Sequence, residues 1–160
     1  MAKEKIPATQ AIRTLKQHKV SFTPHFYTYE DRGGTRTSAR ELGVDEHEVI
    51  KTLIMEDDNQ RPFIVLMHGD REVSQKHLAR QLGVKQVIPC SRDKADRLSG
   101  YQTGGISPFG TRQALPVYLE ESIAALPRLF INGGRRGFLV EIAPADLEKV
   151  LAPQQVSVAI

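Results

Sequence analysis

Ala8, Ala11, Ile12 and Leu15 recur at the three- and four-residue spacing of one helix face, and Pro7 suits a first turn. The spacing predicts a helix over 7–19. The aromatic run 22–29 predicts a strand, which Pro24 limits to an edge or a strand start. Polar residues 31–36, with Gly33-Gly34, predict a loop. Thr37 or Ser38 is expected to cap a short helix ending at Gly43, and Asp45 to cap a further turn. Two strand-like runs, 52–55 and 62–67, flank the polar stretch 56–61 and predict a hairpin. Ser74 to Leu82 reads as a helix capped by Ser74 and stopped by Gly83, and Ser91 to Leu98 as a further helix with Ala95 and Leu98 on its apolar side.

Residues 99–115 hold few apolar side chains and much Gly, Ser, Thr and Pro, so they form a functional or a disordered loop. A strand at 117–119, a helical turn at 122–126 and a strand at 129–132 follow. Gly133-Gly134 is expected to turn into a strand at 138–142, and Pro144 opens a last helix to Leu151. Hairpins among interspersed helices predict an α+β fold rather than a purely parallel sheet.

The chain has 160 residues, which suits one domain over 1–160. Hydrophobic residues make up 40%, enough for a core and against disorder. The longest apolar run is five residues, Phe63 to Met67, so no membrane helix is expected. Residues 1–7 lack the apolar stretch of a signal peptide, and the single Cys90 allows no internal disulfide. A cytoplasmic monomer with no membrane partner is expected. The net charge of +3 permits an anionic partner without requiring one.

Candidate chemistry is sparse. His18, His25, His47, His68 and His77 show no metal-ligand spacing, so neither metal nor cofactor is expected. Cys90 lacks a nucleophile signature, and no GxSxG elbow occurs. Asp57-Asp58 reads as a solvated turn. Gly33-Gly34, Gly104-Gly105 and Gly133-Gly134 are the informative pairs, because glycine lets a ligand or another backbone come close. After Gly104-Gly105, the run Ile106-Ser107-Pro108 can aim backbone N–H groups and a hydroxyl at one space. Lys51 heads an apolar strand, where it either lies in solvent or points into a cleft.

Val49-Ile50-Lys51-Thr52-Leu53, the string from Gly100 through Gly104-Gly105-Ile106-Ser107-Pro108 to Gly110, Leu115-Pro116, and Asn132-Gly133-Gly134-Arg135-Arg136-Gly137 occur in that order. Together with Thr28-Tyr29-Glu30 and Leu42-Gly43, they make the sequence resemble the YbaK-type aminoacyl-tRNA deacylases. These are relatives of the editing domain inserted in bacterial prolyl-tRNA synthetases. The resemblance covers nearly the whole chain. It implies a single domain with a mixed, partly closed β-sheet flanked by helices. It implies removal of a wrong amino acid, foremost cysteine, from tRNA(Pro), without a metal, and an association with prolyl-tRNA synthetase.

Lys51 matches the family's central active-site lysine. Tyr29, Gly104, Gly105, Ile106, Ser107, Pro108, Asn132, Gly133, Gly134 and Arg136 are the substrate-binding residues the resemblance implies. A cysteine substrate carries its own nucleophile, which fits the missing triad. Arg112, Arg128, Arg135 and Arg136 are candidates for a basic rim on tRNA phosphates. The apolar Phe138-Leu139-Val140, where close cysteine-specific relatives often carry an acid, leaves alanine or serine open as the amino acid removed. A non-catalytic tRNA-end binding module and a hydrolase of another ester are the remaining readings.

Overall fold

The computed structural model describes residues 5–160; residues 1–4 of the stretch read for a signal peptide lie outside it. The elements follow one another closely except across the long loop between Ser99 and Val117. Helix α1 (Gln10–Gln17) starts after Thr9, whose hydroxyl accepts the Ile12 N–H, so the helix begins later than Pro7 suggests. Strand β1 (Thr23–Phe26) follows, and Pro24 is tolerated there because β1 is the sheet's edge.

Helix α2 (Gly34–Leu42) occupies part of the stretch expected to be loop. Thr37 and Ser38 are not its caps. They are buried inside it, and Gly33 is the N-cap with no side-chain hydrogen bond. Asp45 caps the 3-10 turn Glu46–Glu48 as expected, accepting from the His47 N–H.

Strands β2 (Val49–Asp57) and β3 (Pro62–His68) form the expected antiparallel hairpin. Then come α3 (Gln75–Leu82), β4 (Val87–Pro89), α4 (Arg92–Ser99) and β5 (Val117–Glu120). Ser74 and Ser91 cap their helices, and Gly83 and Gly100 close them in the left-handed conformation. The 3-10 turn Glu121–Ala125 leads to β6 (Leu129–Arg135) and β7 (Phe138–Ile142). Helix α5 (Pro144–Leu151) and β8 (Gln154–Val156) end the chain. Gly133 and Gly134 are not the turn: they sit in a bulge of β6 between Asn132 and Arg135, and the chain reverses at Arg136-Gly137.

The strands build one mixed sheet in the order β1-β7-β6-β2-β3-β5-β8, with β4 also on β2. Helices flank it, which gives the expected α+β architecture. Alternate residues feed two faces. Ile50, Ile54, Ile64 and Leu66 join the larger core with α1, Leu119, Ile131 and Val140. Met55, Phe63, Val65 and Met67 pack with α3 and the C-terminal segment. Helix α2 covers Val49, Phe130 and Leu139.

One feature of the sheet positions the site. Strand β3 occupies one edge of β2. The other edge is shared by β6, through Val49 and Ile50, and by β4, through Met55 to Asp57. The two partners diverge, and Lys51 to Leu53 are left without a strand on that edge among the described residues.

Candidate functional site

A cleft of about 540 Å³ opens at this divergence. It lies between β2, the start of α2, the segment from Gly69 to Glu72, and the Thr103–Ile106 part of the long loop. The loop is ordered and closed on itself. Arg112 N donates to the Ser99 carbonyl, the Tyr101 hydroxyl donates to the Phe109 carbonyl, and Phe109 is fully buried.

Lys51 enters the cleft half-buried, with 19% of its side chain exposed, and its Nζ lies 3.3 Å from Glu72 Oε1. Thr52 lines the same space. Its hydroxyl oxygen is the one buried side-chain polar atom without a hydrogen-bond partner among the described residues. An orphaned buried hydroxyl costs on the order of 1–3 kcal/mol, so such a group calls for a partner from outside the fold.

Opposite stands the start of α2. Gly33 has no side chain with which to cap it, and Gly33, Gly34, Thr35 and Arg36 all face the cleft. The first-turn N–H groups and the positive end of the helix therefore favour a carbonyl or an anion there. Thr35 fastens this end, donating to Glu46 Oε2 at 2.8 Å and reaching the Gly69 carbonyl at 3.2 Å. Gly69 must be glycine for that approach, because a Cβ there would lie 2.6 Å from the Thr35 hydroxyl and 2.8 Å from the Val49 carbonyl.

The third wall comes from loop docking. Asn132 Nδ2 donates to the Gly104 carbonyl at 3.2 Å, while its Oδ1 accepts the Gly134 and Arg135 N–H groups and shapes the β6 bulge. Arg136 Nε donates to the Thr103 carbonyl at 2.9 Å, and its guanidinium lies 4.7 Å over the Tyr29 ring. Tyr29 in turn packs on Gly104, whose φ of +92° and contact with the phenol leave no room for a Cβ.

Of the residues expected from the sequence, Lys51, Tyr29, Gly104, Ile106 and Asn132 line the cleft together. Gly105 stands behind it, against the Arg135–Arg136 backbone. Gly133 lies against the Phe138 ring and Gly134 against Tyr101 and Thr9. Pro108 and Ser107 are buried, and the Ser107 hydroxyl accepts the Phe109 N–H instead of facing the cleft. Arg136 does not line the cleft and acts on it through Tyr29 and the Thr103 carbonyl.

The proposed basic rim divides. Arg135 and Arg136 share a neighbouring hollow with Lys5, Arg128 is held 3.6 Å from both Glu48 and Glu141, and Arg112 lies in a separate hollow beside Gly100. Nothing in the sequence marks Thr35, Gly69 or Glu72; Thr52 stands only in the motif around Lys51, and the Gly33-Gly34 pair is the sign of the α2 start.

A second polar cluster lies beside the 3-10 turn at Glu46–Glu48. The His47 and His68 rings stack at 3.7 Å, His47 Nδ1 meets Asp70 at 2.8 Å, and both His68 ring nitrogens are hydrogen-bonded, to the His47 carbonyl and to Ser122. These atoms fall within metal-ligating reach of one another, but hydrogen bonds already occupy the ring nitrogens of His68 and Nδ1 of His47.

The family model for the aminoacyl-tRNA editing domain matches residues 30–150. A candidate Cys-tRNA(Pro)/Cys-tRNA(Cys) deacylase of Enterococcus faecalis, EbsC, is 31% identical over 146 residues, covering 90% of this chain and 89% of that protein. The proline–tRNA ligase of Limosilactobacillus fermentum is 20% identical over 120 residues, which are 72% of this chain but 20% of the ligase. A solved structure described as a candidate trans-editing enzyme for prolyl-tRNA synthetase superposes with a TM-score of 0.81 at 18% identity, covering 97% of this chain and 99% of that one. At that identity the likeness speaks for the fold.

Proposed function

We propose, because the chain belongs to the aminoacyl-tRNA editing domain family, that the Lys51 cleft cleaves the ester of a mischarged small amino acid, foremost cysteine, on tRNA(Pro). The observation that carries this reading is the lysine itself. Its ammonium enters, beside Glu72, a cleft at the open edge of β2 that the uncapped start of α2 and Thr52 also line.

The ester carbonyl oxygen gains negative charge as its carbon becomes tetrahedral. Lys51 offers up to three N–H donors to that oxygen, and the α2 start adds backbone N–H groups. Donors of this kind are each worth about 10²–10³ in rate. Tyr29, braced by Arg136 and Gly104, is an aromatic face on which the terminal adenine can stack.

Among the described residues, no serine or cysteine nucleophile lines the cleft beside Lys51 except Ser38, which is buried and donates to the Thr35 carbonyl. A cysteinyl substrate supplies its own. Its sulfur attacks the carbonyl, the new C–S bond closes a β-thiolactone, the ester C–O bond breaks, and the thiol proton ends on the ribose hydroxyl. Water then opens the ring. Holding the substrate in that pose is what the protein contributes. The cognate synthetase, which carries a related domain in other organisms, would present the tRNA.

The test is deacylation of Cys-, Ala- and Ser-tRNA(Pro) by the wild type and Lys51→Ala. We expect cysteine release, reduced about 100-fold or more in the variant, with far-UV spectra unchanged. Release of alanine or serine instead would mean water attack in a size-selecting pocket. Tight tRNA binding with no release would make the protein a binding module.

A further inference from the structure

We infer that Glu72 is a specificity residue of this cleft, which reads the free α-ammonium of the aminoacyl group while Lys51 takes the neighbouring carbonyl oxygen. The inference rests on the deacylase reading and names the chemistry by which the site recognises its substrate.

An aminoacyl ester carries a cation on its α-carbon and a polarised carbonyl on the adjacent carbon. Its complement is a carboxylate beside a donor cation. Glu72 Oε1 and Lys51 Nζ, 3.3 Å apart, form such a pair. The glutamate is 79% exposed and the lysine 19%, so the carboxylate stands at the mouth and the ammonium deeper.

The other carboxylates of the cleft are otherwise engaged. Glu46 accepts from Thr35, Glu30 from Thr37 and Arg40, and Asp31 faces the Tyr29 hydroxyl. Glu72 has Lys51 as its side-chain partner. An ion pair this exposed is weak, and an incoming ammonium can replace the lysine at little cost. The exchange also frees the Lys51 donors for the carbonyl oxygen.

The backbone under Glu72 is fixed. Its N–H and carbonyl both pair with Ile160, Ser74 N donates to the Val158 carbonyl, and Glu120 accepts the N–H groups of Val158 and Ala159. The carboxylate therefore swings from a rigid base.

The experiment compares Cys-tRNA(Pro) with the same tRNA carrying N-acetylcysteine, using wild type, Glu72→Gln and Glu72→Asp. We expect wild type to prefer the free amine by about fivefold in kcat/KM, the scale of an exposed ion pair. Glu72→Gln narrows that gap, chiefly through KM, and Glu72→Asp restores part of it. Equal losses on both substrates, or a wild type blind to acetylation, would overturn the inference.

Binding of a non-cleavable 3′-cysteinylamido-adenosine, free or acetylated, gives the same comparison without turnover. If no aminoacyl-tRNA is cleaved, the deacylase reading falls. The affinity ratio then still decides Glu72: a preference for the free amine lost in Glu72→Gln supports it, and equal affinities overturn it.

Discussion

Thr52 illustrates how a fold gives up stability at a site. Its β2 neighbours Ile50 and Ile54 are core residues, and a valine would fit the same position. The chain carries instead a hydroxyl that is buried without a partner where the sheet divides. Removing that group leaves nothing unsatisfied, so Thr52→Val is expected to raise unfolding free energy by about 1 kcal/mol. If the hydroxyl meets the substrate, the same change lowers kcat/KM severalfold. Urea denaturation beside deacylation kinetics separates the outcomes. A variant both less stable and fully active would mean that Thr52 has a structural partner, such as a bound water.

Lys51 was legible in the sequence only through the motif around it. A lysine at a strand start looks the same whether the neighbouring edge is paired or open. Glu72 gave no signal, because its approach to Lys51 depends on the tail of the chain folding back.

Among elements, the C-terminal segment is held by a buried network that also predicts how the fold responds to acid. Glu120, 3% exposed, accepts from Val158, Ala159 and the N–H and hydroxyl of Ser122, and Ser122 meets His68. Burial alone would raise the Glu120 pKa, but these donors outweigh it and hold the carboxyl below its ordinary 4.5. For His68, burial pushes the imidazole below 6.5. The stacked His47 ring acts the same way, against the upward pull of the His47 carbonyl, Asp70 and Glu120.

Both signs lead to the same side. The unfolded chain protonates His68 as pH falls through 6.5, before the folded chain does, so that share of stability is complete above 6.5 and declines below it. The Glu120 share is complete above about 4.5 and is lost as pH falls through its lower folded value. His68→Gln should flatten the upper decline. Glu120→Gln should remove the lower one and cost on the order of 3 kcal/mol at neutral pH. Denaturation at a series of pH values reads both, and a wild type equally stable from pH 7 down to 4 would contradict the assignment.

Element legibility follows the range of the forces involved. Caps at Asp45 and Ser74 are readable because the acceptor and the N–H it takes lie within a few residues. The start of helix α2 reads as loop because a glycine cap leaves no side-chain sign. The three-residue strands β4 and β8 went unseen because distant partners define them, and the β6 bulge passed for a turn because Gly133-Gly134 suits either.

At the scale of the whole molecule, a net charge of +3 decides little, and the distribution decides more. The four arginines named as a rim are alike in sequence and unlike in place. Arg128 is neutralised by Glu48 and Glu141 and lies over Phe130. Arg135 is exposed beside Lys5 and Arg136, in a hollow with no carboxylate lining it among the described residues. That hollow adjoins the cleft, since Tyr27 lines both and Arg136 stacks on Tyr29. A nucleic-acid strand whose terminal ester reaches Lys51 would leave the cleft over this hollow, with its phosphates against Lys5 and Arg135. Each phosphate contact on a single strand contributes about 0.7 to the slope of log affinity against log salt. Arg135→Ala should therefore weaken tRNA binding and lower that slope by about 0.7, whereas Arg128→Ala, whose charge is already spent on two glutamates, should change neither. The reverse pattern in a salt titration would route the strand past β1 and the Glu141 side of β7 instead.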